Sequence, residues 1–247
     1  MIGFGLHLEL VALLRATRGG LHPDLLAAAH AAHLGGADHV VVPVRADRRR
    51  ADERDARHLQ ESGVLPIHLE IAPTTENVAF ATQLRPAGVV LVPEPAGDRP
   101  AGRGLDVASE AARITEAAGA LADAGILVAI STDPDEAQLV AANGAGALAV
   151  ELHAGRYAAA ASEDARVHEF LALSRSAASA RALGLRVHVG HGLDYGNVTR
   201  VAALPDVEVV RGGHAVIARA MFTGLHQAVA AMRERLVRAA AEEAPIP

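Results

Sequence analysis

At 247 residues and 51% hydrophobic, the chain is long enough to bury one sizeable core, yet with aromatics at 2% and no Trp that core must be built from Ala, Val, Leu and Ile. The absence of Cys excludes disulfides, thiol catalysis and thiolate metal sites. A formal net charge of −6 excludes a basic nucleic-acid footprint, so any anionic ligand needs a local positive site rather than a global field.

The first residues, MIGFGLHLEL, have neither a positively charged leader nor a small-residue cleavage site and read as a strand rather than a signal peptide. Short β-branched runs follow at regular intervals. Strands are expected over residues 2–9, 39–45, 66–71, 88–93, 126–131, 147–153, 186–191 and 207–212. Several are almost wholly apolar, as strands buried on both faces should be. Helical patterns fill the gaps, among them 23–34, 107–123, 164–183 and 214–237. The first of these opens on Pro23 and Asp24, and Gly35, Gly125 and Gly184 punctuate helix ends ahead of the next strand. Strand and helix alternating eight times imply parallel pairing through right-handed crossovers. A closed (β/α)8 barrel, a single domain over residues 1–247, accounts for the count without exposed sheet edges. A doubly wound open sheet is the alternative, but no glycine-rich dinucleotide loop follows the first strand.

Two segments interrupt the repeat. Residues 94–106 form a Gly/Pro-rich loop after strand 4, and residues 154–163 a small-residue loop after strand 6; either sits where a lid belongs or is a plain surface connection. The tail 238–247 is expected to fray. No apolar run approaches the roughly 18 residues of a membrane span, and the default expectation is a soluble cytoplasmic protein.

In a barrel the chemistry sits at the C-terminal ends of the strands. Ionisable residues concentrate there: His7 and Glu9 on strand 1, Arg45 on strand 2, His68 and Glu70 on strand 3, Glu151 and His153 on strand 6, His188 and His191 on strand 7, and Gly213-His214 after strand 8. Residues two apart on a strand share a face, which pairs His7 with Glu9, His68 with Glu70 and Glu151 with His153. Charged groups inside strands are costly unless paired or functional, and six of the eight strands supply one, which favours an active site over a satisfied polar layer. GHGLDYGN (190–197) and GGHAVIARA (212–220) place glycines ahead of helices in the last two loops, where barrels hold phosphate.

The segments GADHVVVPVRADRRR, HLEIAPTTE, VVLVPE, GLDVASE, VELHAGRYA, LRVHVGHGLDYGNV and GGHAVIARAMFTGL together resemble the pyridoxine 5′-phosphate synthase family, along nearly the whole chain. The resemblance implies a (β/α)8 barrel with extra helices, usually an octamer. It implies an enzyme that condenses 3-amino-2-oxopropyl phosphate with 1-deoxy-D-xylulose 5-phosphate and requires no metal or cofactor. Glu70 matches the family's general acid/base glutamate and His191 its general acid. Arg18, Gly192, Gly213 and His214 match residues that hold the amino-ketone phosphate, and Arg45 a contact to the deoxyxylulose phosphate. The departures are His7 for Asn, Glu9-Leu10 for Asp-His, Pro43 for the strand-2 catalytic histidine, Arg50 for a substrate-binding histidine and Pro100 for a threonine.

These differences imply a kept amino-ketone half and a rewritten second half. Glu70, His191 and Glu9 are expected to carry the chemistry. His7, Arg18, Arg45, Arg50, Glu151, His153, Gly192, Gly213 and His214 are expected to hold the substrate, with Arg50 or Arg103 replacing a lost anion contact. Two other readings stand beside this one: a metal-dependent barrel enzyme using His7, Glu9, His68 and Glu70, and a non-catalytic phosphometabolite-binding protein, for which Pro43 speaks. His30, His33, His168 and His226 read as surface residues.

Overall fold

Branched apolar runs of five or six residues, each followed by a helix, build the barrel. The computed structural model describes residues 2–44, 53–94 and 102–241. Its strands are β1 (Gly3–His7), β2 (His39–Pro43), β3 (Ile67–Ile71), β4 (Gly88–Leu91), β5 (Leu127–Thr132), β6 (Ala149–His153), β7 (Arg186–Gly190) and β8 (Val207–Gly212). Every neighbouring pair is parallel, and β8 pairs with β1 to close the barrel. The helices that return the chain from one strand to the next are α2 (Leu25–Leu34), α3 (Glu53–Ser62), α4 (Thr75–Leu84), α5 (Ala111–Asp123), α6 (Glu136–Gly144), α8 (Glu163–Ala182) and α9 (Val198–Ala202), and α11 (Leu225–Ala241) packs on the barrel after the last strand. Three more lie in the connections after β1, β6 and β8: α1 (Glu9–Ala16), α7 (Gly155–Ala158) and α10 (His214–Thr223). No helix of the described residues is long and apolar enough to cross a membrane.

The helices start where side chains can satisfy their first N–H groups. Asp24, Thr74, Asp135 and Ser162 each accept a hydrogen bond from a backbone N–H in the first turn of α2, α4, α6 and α8. Alternate strand residues then divide between two environments. Phe4, Leu6, Val40, Val42, Leu69 and Ile71 join the helices' Ala28, Ala32, Ala81 and Ala142 in one continuous apolar layer. The other set faces into the barrel, and its character changes around the ring. Val90, Ala129 and Ala149 of β4 to β6 form a small apolar plug. The remaining arc holds Arg211, Glu151, His39, His68 and His188, all but His68 fully buried.

Glycines opposite these polar groups make room for them. A Cβ on Gly5 would stand 2.3 Å from Nε2 of His39, one on Gly88 would meet the His68 ring at 2.8 Å, and one on Gly190 would meet Glu151 at 2.9 Å. Gly5→Ala is therefore expected to lower stability by about 1–3 kcal/mol, as an added methyl does in a filled core, with the shift read as a lower urea midpoint at unchanged slope.

Several expected boundaries move. Strand 1 ends at His7, and Glu9 opens α1, because Leu8 leaves the extended region (φ −92°, ψ 3°) and the run ELVALLRA turns helical. Glu9 thus does not share a strand face with His7. The helix expected over 214–237 is two helices, broken at Gly224 (φ 80°). The helix expected from 107 begins at Ala111. The loop 154–163 contains the single turn α7. Residues 238–241, expected to fray, continue α11, where Leu236 and Ala239 are buried against the barrel. His30, His33, His168 and His226 are exposed, as expected.

Candidate active site

The loop after β7 is built by its own polar side chains. Asp194 accepts from the N–H groups of Gly196 (2.7 Å) and Asn197 (2.9 Å), and Asn197 Oδ1 accepts from the Asp194 N–H (2.8 Å). Asn197 also donates to the Gly192 carbonyl, and Tyr157 of α7 donates to the Asn197 carbonyl at 2.8 Å. This frame holds His191 at φ 68° and Gly192 at φ 76°. A left-handed conformation costs a non-glycine residue about 1–3 kcal/mol, and here it turns the imidazole back over the barrel mouth.

His191 arrives there beside three partners. Its Nε2 lies 3.2 Å from Glu151 Oε1, and its ring stacks on His153 with centroids 4.3 Å apart and planes 19° from parallel. The His7 ring lies 6.3 Å away. Burial alone would lower the His191 pKa, but the carboxylates of Glu151 and, further off, Glu70 outweigh it, and the pKa is raised. The raised pKa favours the imidazolium form of this half-buried ring, a group suited to giving up a proton.

Glu70 faces the same space from β3. Its Oε2 stands 3.5 Å from His7 Nδ1 on β1. Between them lies β2, whose Pro43 is registered beside Glu70 and whose Val41 is registered beside His7. Pro43 carries no polar atom and no long side chain, so His7 and Glu70 meet across it. Burial, reinforced by His191 and Arg211, lowers the His7 pKa to about 3, so this ring is neutral and stands beside Glu70 as a polar neighbour.

Beneath the mouth is a feature that strand spacing did not single out. Arg211 of β8 is 0% exposed and donates to three acceptors. Its Nη1 reaches Glu151 Oε2 at 2.6 Å, its Nη2 reaches His68 Nδ1 at 2.9 Å and its Nε reaches His39 Nε2 at 3.3 Å. A guanidinium can only donate, so both imidazoles present lone pairs to it and are neutral. Burial with the neighbouring cation takes His68 to about 3, and burial with His68 and Arg211 holds His39 well below its ordinary value. The His39 and His68 rings stack at 4.2 Å. Burial would raise the Glu151 pKa, but Arg211, followed by His191 and His7, holds it well below the usual carboxylate range. His188 completes the polar arc; its pKa is also pushed well down by burial, and neither ring nitrogen finds a partner among the described residues.

The expected site residues therefore fall into three groups. His7, Glu70, Glu151, His153 and His191 converge on the mouth, and Gly213 joins them: it precedes α10, and a Cβ there would stand 2.8 Å from that of His7. Gly192 lies exposed in the loop after β7, His214 is exposed at the first position of α10, and Arg18 is exposed just past the end of α1 in the β1–α2 connection. Glu9 sits in the first turn of α1. Arg45, Arg50 and Pro100 lie outside the described residues, and Arg103 is exposed. Glu151, expected to contact substrate, is buried between Arg211 and His191. The quartet His7, Glu9, His68 and Glu70 is not assembled as a metal site. His68 is engaged by the Arg211 cation, Glu9 has left the strand, and among the described residues no three His, Asp or Glu side chains have metal-holding geometry.

Comparison with known proteins agrees with this architecture. Residues 4–238 match the family model for the pyridoxal phosphate biosynthesis protein PdxJ. The pyridoxine 5′-phosphate synthase of Rhodospirillum rubrum is 42% identical over 236 residues, covering 96% of this chain and 95% of the relative. That of Photobacterium profundum is 41% identical over 235 residues, covering 95% and 97%. Two solved structures share the fold at low identity. One, described as native KDPGal, has a TM-score of 0.65 at 15% identity over 98% of this chain and 96% of its own. The other, a monomer made from the dimeric phosphoribosylanthranilate isomerase of Thermotoga maritima, has a TM-score of 0.58 at 14% identity over 96% of this chain and 100% of its own.

Proposed function

Because this chain belongs to the pyridoxine 5′-phosphate synthase family of condensing enzymes, we propose that it joins a phosphorylated amino ketone of the 3-amino-2-oxopropyl phosphate type to a second carbonyl compound and closes the ring. The observation that carries this reading is His191, an imidazolium held between Glu151 and His153 at the mouth, facing Glu70. Condensing an amine with a ketone forms a carbinolamine, which loses water to give an imine. One group must take a proton from nitrogen, and another must protonate the departing oxygen. Glu70 does the first and His191 the second. His7 fixes the Glu70 carboxylate from across Pro43, the position at which the family resemblance places a catalytic histidine. The exposed glycine loops, Gly192 after β7 and Gly213-His214 at the start of α10, present backbone N–H groups for the amino-ketone phosphate.

The second substrate is the part most open to change, because His7, Glu9, Leu10 and Pro43 all differ from the family pattern. The test is a mixed assay. The amino-ketone phosphate is supplied with 1-deoxy-D-xylulose 5-phosphate or with a series of other phosphorylated and unphosphorylated ketoses and aldehydes, and products are identified by mass spectrometry. The expected result is a cyclised product from the amino ketone and at least one partner, at a rate well above that with 1-deoxy-D-xylulose 5-phosphate. Pyridoxine 5′-phosphate formed at ordinary turnover, about 1 s⁻¹ or faster, would sink the idea of an altered second substrate. No product with any partner would sink the condensing role.

A further inference from the structure

We infer that Arg211 is a positioning residue for the reaction: through Glu151 it fixes the place and the charge of the general acid His191. This inference rests on the function proposed above. Arg211 touches no space that a substrate can enter, since its side chain is wholly buried in the barrel. Its effect has to pass through a neighbour, and the neighbour is explicit. One oxygen of Glu151 takes the guanidinium at 2.6 Å, and the other faces His191 Nε2 at 3.2 Å.

The arrangement is a built socket. β2 and β3 supply two stacked neutral imidazoles as further acceptors, and Gly5 and Gly88 clear the space those rings occupy. A buried carboxylate that loses its strongest cationic partner is pushed toward the protonated form, because burial disfavours the charge, and His191 is then the main cationic neighbour left to Glu151. Once protonated, Glu151 faces His191 as a neutral acid and no longer favours the imidazolium. The other groups around His191 do not make up the loss. His153 stacks on the ring without supplying negative charge, His7 is neutral, and Glu70 acts from further away. Arg211 itself opposes the His191 charge directly, but that contribution ranks behind those of both carboxylates. Its net action is the one transmitted by Glu151.

The position is easily overlooked. In VEVVRGG the arginine precedes two glycines at a strand end, and nothing in this local sequence marks it as buried. Its partners are 60, 143 and 172 residues away, and only closure of the barrel between β8 and β1 brings them together.

The test measures His191 directly by NMR titration of ¹⁵N-labelled imidazoles, assigned with His191→Asn, in the wild-type protein and in Arg211→Met, Arg211→Lys and Glu151→Gln. Arg211→Met is expected to shift the His191 titration to lower pH and to reduce kcat about 10²-fold, the low end of what a general acid contributes, with KM changed by no more than about threefold. Arg211→Lys keeps a cation on Glu151 and is expected to restore most of both. Glu151→Gln should reproduce the Arg211→Met phenotype, and the double variant Arg211→Met/Glu151→Gln should be no slower than Glu151→Gln alone. The double variant also removes both buried charges, so it decides the question if Arg211→Met by itself does not fold. A His191 titration unmoved in folded Arg211→Met overturns the inference, as does a double variant about tenfold or more slower than Glu151→Gln. The titration arm needs no substrate, so a wild-type protein that makes no product would remove the proposed function and leave the coupling between Arg211 and His191 standing or falling on its own result.

Discussion

Lowering the pH from about 7 to 5 is expected to destabilise this protein steeply, with two to four protons taken up on unfolding. The cause is the set of histidines buried neutral inside the barrel. Burial is the first reason that His39 and His188 titrate well below the ordinary histidine value and that His7 and His68 are lowered to about 3. In the unfolded chain all four return to about 6.5. Between those limits the unfolded state binds more protons than the folded one, so stability is complete above about pH 6.5 and falls as the pH drops. Each fully buried group contributes a slope of about 1.4 kcal/mol per pH unit. His39 and His188 are enclosed and carry the full slope, while His7 and His68 keep an edge toward solvent and carry less. Glu151, whose pKa is depressed, adds a further loss below its ordinary range near 4.5. His191 has the opposite sign. Its raised pKa contributes stability that is present below 6.5 and lost as pH rises through its folded value, so it adds nothing to the acid slope. At about 2.7–5.4 kcal/mol per pH unit, a domain of about 5–10 kcal/mol reaches its acid midpoint about one to four units below pH 6.5. Urea midpoints at pH 7, 6 and 5 check this, and equal midpoints at pH 7 and 5 would refute it. His188→Asn, at a residue without a role in the proposed chemistry, should reduce the slope by about one proton.

The same polar arc explains why part of the molecule was legible in the sequence and part was not. Strand positions were readable because runs such as VVV at 40–42 and GVVL at 88–91 can only be buried on both faces, and the eight-fold alternation then implied closure. Two of the three same-face pairs, His68 with Glu70 and Glu151 with His153, follow from strand spacing and are present in the fold. The pair His7 and Glu9 is not, because a strand period of two and a helix period of 3.6 overlap in LHLELVALL, and the helix begins one residue earlier than alternation suggests. The socket of Arg211 was invisible for a different reason. A buried arginine is recognised by what surrounds it, and its acceptors come from β2, β3 and β6, none of them near in sequence. Strand patterns place residues on a face, but they do not say which faces meet across a barrel. That Glu151 lies between a buried cation and His191 was hidden from the sequence for the same reason.

Glu70→Gln and His191→Asn are each expected to lower kcat by about 10²–10⁴, the range for losing one proton-transfer group, while leaving the protein folded. The two substitutions differ in what they do to the pH profile. His191 must be protonated to act as the acid, and its pKa is raised by the carboxylates facing it. With the wild-type protein, kcat should therefore hold through neutral pH and decline tenfold per unit only above a pKa higher than 6.5. His191→Asn should remove that alkaline limb, because the residual reaction no longer depends on the group. Glu70→Gln should retain the limb but move it to lower pH, since Glu70 is one of the charges that favour the imidazolium. If the two groups serve one proton-transfer sequence, the double variant will be little slower than the worse single one. An alkaline limb that persists unchanged in His191→Asn would take the general acid role away from this residue. A purely binding protein predicts another pattern: ligand affinity unaltered in both variants, and no turnover in any of the proteins to lose. The geometry at the mouth argues against that outcome, because two carboxylates, Glu151 and Glu70, face the His191 ring and repel an anion there, whereas proton transfer uses just such a pairing of acid and base.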